Sequence, residues 1–122
     1  MAEKILIVDD DLQTTALLES LVKLNGYEPT AVNLSRNAIQ VATAINPDLI
    51  ILDIMMESIN GIELCKLIKA DEALKNIPVI MVSALSDIGS KRDSFNAGAI
   101  DFITKPVRPG DFAQRIQDAL RG

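Results

Sequence analysis

The stretch PDLIILDIMMESING, residues 47–61, decides how the chain is read. Leu49, Ile50, Ile51 and Leu52 are apolar at consecutive positions, the pattern of a strand buried on both faces. Such strands belong to parallel sheets covered by helices. The run ends in a carboxylate, Asp53, and a lone carboxylate beside a buried strand is costly unless something compensates it. The rest of the chain has to supply that compensation.

Working outward, β-rich runs recur at residues 4–8, 27–33, 48–53, 77–83 and 100–104. Segments of helical periodicity separate and follow them. A first helix is expected over residues 11–24, with Leu17, Leu21 and Leu24 inward and Asn25-Gly26 as its stop. The second takes Ser35 as N-cap and Ala38, Val41, Ala42 and Ile45 as its stripe. The third starts near Asn60-Gly61, and the fourth lies between residues 86 and 97, anchored chiefly by Ile88 and Phe95. The fifth follows Pro109 and turns Phe112, Ile116, Ala119 and Leu120 inward. Five alternations of strand and helix predict an α/β fold with right-handed crossovers and helices on both faces. With no repeat, low-complexity tract or linker, residues 1–122 read as one domain.

Composition narrows the function. The net charge is −5 and no basic run stands out, so nucleic-acid contact by this chain itself is not expected. There is no signal peptide and no apolar stretch of membrane-spanning length, which predicts no membrane association and a cytoplasmic location. The chain has no histidine, which excludes His-based triads, most zinc sites and a phosphohistidine of its own. Cys65 falls in line with Gly61, Leu64 and Ile68 and reads as a core thiol.

In sheets of this class, ligands bind beyond the carboxyl ends of the strands. The first strand runs into Asp9-Asp10-Asp11, the third into Asp53, the fourth into Ser83 and the fifth into Lys105-Pro106. Clustered carboxylates cannot all stay ionised without a cation. Asp9, Asp10 and Asp53 make a hard oxygen site suited to Mg²⁺, with Lys105 as a further positive charge and Ser83 as a donor. That is equipment for a phosphoryl group, and Asp53 can serve as the nucleophile. Taken singly, each residue has a structural reading: Asp11 caps a helix, Ser83 is a turn hydroxyl, Lys105 a solvated charge. Their joint placement at successive strand ends is the specific signal.

The order KILIVDDD, PDLIILDIMM, IPVIMVSA, GAIDFITKP resembles the receiver domain of two-component response regulators, of the single-domain chemotaxis-regulator kind, over essentially the whole chain. The resemblance implies a flavodoxin-like doubly wound (βα)5 fold with strand order 2-1-3-4-5. It makes Asp53 the phosphoacceptor and Asp9, Asp10, Asp53 and the Met55 backbone carbonyl the Mg²⁺ ligands. Ser83 and Lys105 become the phosphoryl-binding pair, Phe102 the switch aromatic that turns inward, and Lys105-Pro106 a cis peptide. The implied phosphoryl donor is a sensor histidine kinase or a histidine phosphotransfer protein. A fused or separate output domain, and a homodimer through the fourth helix, fifth strand and fifth helix, are the further partners it allows. The role implied is signalling, with catalysis confined to the chain's own phosphorylation and dephosphorylation.

There are departures. Glu57 stands where the family usually has proline, so the loop after the third strand is expected to be looser. Asn60 stands where aspartate is common, and Arg108 before Pro109 predicts a weak cap for the last helix. Three other readings remain. An aspartate-nucleophile phosphohydrolase would use the Asp9-x-Asp11 spacing, but Gln13 is out of pattern and no general acid follows Asp53. A flavodoxin-like cofactor domain would need a Ser/Thr/Gly-rich phosphate loop where three acids stand. A degenerate receiver acting only as an interaction module would not need the complete acid, hydroxyl and lysine set.

Overall fold

The apolar runs form β1 (Lys4–Val8), β2 (Glu28–Val32), β3 (Leu49–Leu52), β4 (Val79–Ser83) and β5 (Asp101–Thr104). They lie parallel in one sheet, ordered β2-β1-β3-β4-β5, in a computed structural model that describes residues 2–122. The helices are α1 (Leu12–Leu24), α2 (Ala38–Ile45), α3 (Gly61–Ala70), α4 (Ile88–Asn96) and α5 (Pro109–Arg121). No helix among the described residues is long and apolar enough to cross a membrane.

Alternation along each strand sends side chains to two separate cores. Ile5, Ile7, Leu49, Ile51, Ile80, Val82 and Ile103 meet α1 and α5 on one face. Leu6, Val8, Ile50, Leu52, Val79 and Met81 meet α2, α3 and the turn after α4, at Ala97 and Ala99, on the other. Leu49–Leu52 is wholly buried because β3 is the central strand and both of its faces are covered. Pro29, which lacks a backbone donor, sits in β2 at the sheet edge, where one side needs no partner.

Several local expectations need correction. In α1 the buried residues are Thr15, Leu18, Leu21 and Val22, whereas Leu17 and Leu24 face solvent at 50% and 81% exposure. Ser35 is not an N-cap: it opens a 3-10 turn, Ser35–Asn37, and α2 begins at Ala38 without a side-chain cap. In α4, Ile88 and Phe95 are 83% and 48% exposed and anchor nothing, while the buried residue is Ser94. Other local readings hold. Asp11 caps α1 by accepting from the Gln13 N–H at 3.0 Å, and α3 starts at Gly61 as expected, where Asn60 proves to be its cap through the Glu63 N–H at 2.9 Å. Arg108 gives α5 no side-chain cap. Cys65 is fully buried with its Sγ on the Ala97 carbonyl, and burial pushes its thiol pKa up.

Candidate functional site

The sheet register builds the site. Val8 is paired with Val32 on one side and Leu52 on the other. One residue further, the Asp9 N–H donates to the Val32 carbonyl at 3.1 Å and the Asp53 N–H to the Val8 carbonyl at 3.0 Å. Asp9 and Asp53 thus emerge side by side from neighbouring strands, at the carboxyl edge where the strand order reverses between β1 and β3. Asp10 joins them: each of the three offers a carboxylate oxygen within 4.8 Å of the others. On the other side, the Lys105 N–H donates to the Ser83 carbonyl at 2.8 Å, holding the end of β5 to the end of β4. Lys105-Pro106 is cis.

From that anchorage the Lys105 ammonium reaches Asp9 Oδ2 at 3.0 Å and Asp53 Oδ2 at 3.5 Å. Asp9 is 2% exposed and also accepts the Asp11 N–H through Oδ1 at 3.0 Å. The Asn33 side-chain amide donates to the Asp9 carbonyl at 2.9 Å and steadies its backbone. Asp10 is exposed and accepts the Glu57 N–H at 3.3 Å. Ser83 is buried at 1% and its hydroxyl oxygen accepts the Leu85 N–H at 3.1 Å.

Charge in the cluster is unbalanced, since three carboxylates face one ammonium. Burial and then the Asp9 charge hold the Asp53 carboxyl above the ordinary value, against the downward pull of Lys105. For Lys105, burial is the largest single influence and acts downward, but the Asp9 hydrogen bond and both carboxylate charges together outweigh it, so its pKa rises. Lys105 stays charged across the neutral range. The donor set suits a hard divalent cation, which takes oxygen ligands and neutralises clustered carboxylates. The same edge offers a carboxylate nucleophile and an ammonium to receive negative oxygen.

Met55 is 65% exposed and lines a shallow depression with Asp10, Ile54, Met56, Glu57 and Asn60. Phe102 lies in β5 and lines a cavity together with Lys105. Its ring is already buried at 7% exposure, with the Lys91 ammonium 5.8 Å from the ring centre, so an inward turn would start from a ring that is largely inside.

Gly61 has a role that its reading as a helix start missed. A Cβ there would lie 2.0 Å from the Asp53 carbonyl oxygen, so any side chain would push the Asp53 backbone aside. A glycine in the first turn of a helix, where better helix formers are usual, was the available signal. The loop after β3 is also better held than its missing proline implied. Ser35 Oγ donates to the Glu57 carbonyl at 2.6 Å and accepts the Ile59 N–H at 3.1 Å.

A family profile described as the response regulator receiver domain matches residues 5–117. A crystal structure of a candidate response regulator from Chloroflexus aurantiacus J-10-fl is 32% identical, with a TM-score of 0.96 and all of both chains covered. The signal receiver domain of a signal transduction histidine kinase from Syntrophus aciditrophicus is 36% identical, with a TM-score of 0.91 over 99% of this chain and 92% of its own. The DNA-binding response regulator MtrA of Mycolicibacterium paratuberculosis is 30% identical over 99% of this chain and 52% of its own length. The chain spans about half the length of such curated relatives.

Proposed function

The chain belongs to the response regulator receiver domain family, and on that premise we propose that it is a phosphorylation-controlled switch whose phosphoacceptor is Asp53. Its place is in two-component signalling. The observation that carries the reading is the placement of Asp9, Asp10 and Asp53 within 4.8 Å, with Lys105 on two of them.

In the proposed reaction an Asp53 carboxylate oxygen attacks the phosphorus of a partner's phosphohistidine. The new O–P bond forms as the N–P bond breaks, and the electron pair stays on the imidazole nitrogen. Asp9, Asp10, Asp53 and the Met55 carbonyl would hold Mg²⁺. Bound there, the ion would neutralise the clustered carboxylates and the transferring phosphoryl oxygens. Asp9 and Asp53 share the Lys105 ammonium, so a phosphoryl oxygen on Asp53 gives Lys105 a more strongly charged partner to move to. The Ser83 hydroxyl keeps its proton free for the same oxygens while its lone pair accepts the Leu85 N–H. Because the Lys105 N–H is bonded to the Ser83 carbonyl, motion of either residue is passed to β5 and Phe102.

The partners proposed are a sensor histidine kinase or histidine phosphotransfer protein upstream. Downstream, a fused or separate output domain is proposed, as in the longer relatives named DNA-binding response regulators. Beryllofluoride, a phosphoryl mimic, tests the arrangement. With Mg²⁺ it should shift the amide resonances of Ser83, Leu85 and Lys105 in the wild type and leave them unmoved in Asp53→Asn. Equal shifts in both proteins would place the anion elsewhere.

A further inference from the structure

Ser35 stands outside the acid cluster, on the turn that follows β2, yet it is only 3% exposed. Its hydroxyl uses both of its capacities on the loop after β3, donating to the Glu57 carbonyl and accepting the Ile59 N–H. Between those two residues Ser58 adopts φ +70°, and the Ile59 N–H also meets the Glu57 carbonyl at 2.9 Å, closing a three-residue turn. A side-chain-bearing residue disfavours that left-handed conformation, so the turn persists only if its surroundings hold it. Ser35 is one such hold.

The other end of Glu57 faces the acids, its N–H donating to Asp10 Oδ2. Glu57 therefore touches Ser35 through its carbonyl and Asp10 through its N–H. The Asp10 bond is long at 3.3 Å, and Asp10 is exposed, so water competes for it. Among the described residues the Glu57 N–H is the one donor bonded to the Asp10 carboxylate, so where Glu57 is held bears on where that carboxylate points.

We propose that Ser35 is a positioning residue for the divalent-cation site: its hydroxyl fixes the turn at residues 57–59 and, through the Glu57 N–H, keeps the Asp10 carboxylate aimed at Asp9 and Asp53. Met55, whose carbonyl is assigned to the same ion, lies two residues upstream in that loop. The inference rests on the reading of the acid cluster as a Mg²⁺ site. Removing the hydroxyl leaves the Ile59 N–H and the Glu57 carbonyl bonded to each other, so the turn keeps its own closure while the loop loses its tie to the β2 side.

The test is Mg²⁺ titrated by calorimetry into the unphosphorylated wild type, Ser35→Ala and Ser35→Thr. No binding to the wild type would overturn this inference together with the reading beneath it. With wild-type binding, Ser35→Ala should bind about tenfold more weakly, the low end for partners that orient a metal ligand. Ser35→Thr, which keeps the hydroxyl, should regain most of that loss. Wild-type affinity in Ser35→Ala would overturn the inference alone, even with a lowered melting temperature, because a purely structural serine predicts that pattern. Should Ser35→Ala not fold, amide exchange in the wild type decides. Mg²⁺ should slow exchange at Glu57 and Ile59 together, and no change at either would overturn the proposal.

Discussion

At Asp53, burial and the Asp9 charge disfavour ionisation while Lys105 favours it, and the net effect is a raised pKa. The sign of the consequence follows from linkage. Between the ordinary value of 3.8 and the raised folded value, the folded chain binds more protons than the unfolded one. Stability contributed by this group is therefore fully present below 3.8 and is lost as pH rises through the folded pKa. Asp53→Asn removes the titration. In metal-free buffer its melting temperature should exceed that of the wild type, by a margin that grows as pH rises above 3.8 and is constant once Asp53 is fully ionised. Thermal melts across that range check this, and a margin independent of pH would show that Asp53 carries no such penalty. Asp10→Asn should give a smaller gain, because Asp10 is exposed, while it weakens Mg²⁺ binding.

Among the elements, α4 is the least anchored. Its one buried residue, Ser94, bonds back to the Ser90 carbonyl at 2.8 Å, whereas α5 seats Phe112, Ile116 and Ala119 in the core. Gly89, two serines and Asn96 further lower its helix propensity. The Asp87 cap, which accepts from both the N–H and the hydroxyl of Ser90, secures the first turn only. The amides of α4 should therefore exchange before those of α1, α3 and α5. Phosphorylation should alter exchange in α4, β5 and α5. A change confined to α1 or α2 would show that α4, β5 and α5 are not the face that responds. By contrast, β5 is tied to α5: Arg115 meets Asp101 at 2.6 Å and the Phe102 carbonyl at 3.3 Å, so exchange in these two elements should change together.

At the scale of the molecule, the sheet and its carboxyl edge were legible because buried parallel strands leave unbroken apolar runs, and Asp9, Asp53, Ser83 and Lys105 stand directly at or beyond their ends. Helix faces were less legible. Leu17, Leu21 and Leu24 mimic a stripe, but only Leu21 of the three is buried, since an exposed leucine carries little information about packing. The long-range bonds of Ser35 left no local pattern, because their partners lie on another segment of the chain, and Gly61 showed only as a poor helix former in a first turn, without naming Asp53 as its neighbour. What the edge does chemically rests on one assignment, the covalent role of Asp53. The most direct measurement is the intact mass of the wild type and Asp53→Asn after incubation with acetyl phosphate, with and without Mg²⁺. The account predicts one phosphoryl group on the wild type, dependent on Mg²⁺ and released by hydroxylamine as an acyl phosphate, and none on Asp53→Asn. The same mass gain on Asp53→Asn, or a wild-type gain indifferent to Mg²⁺, would contradict it.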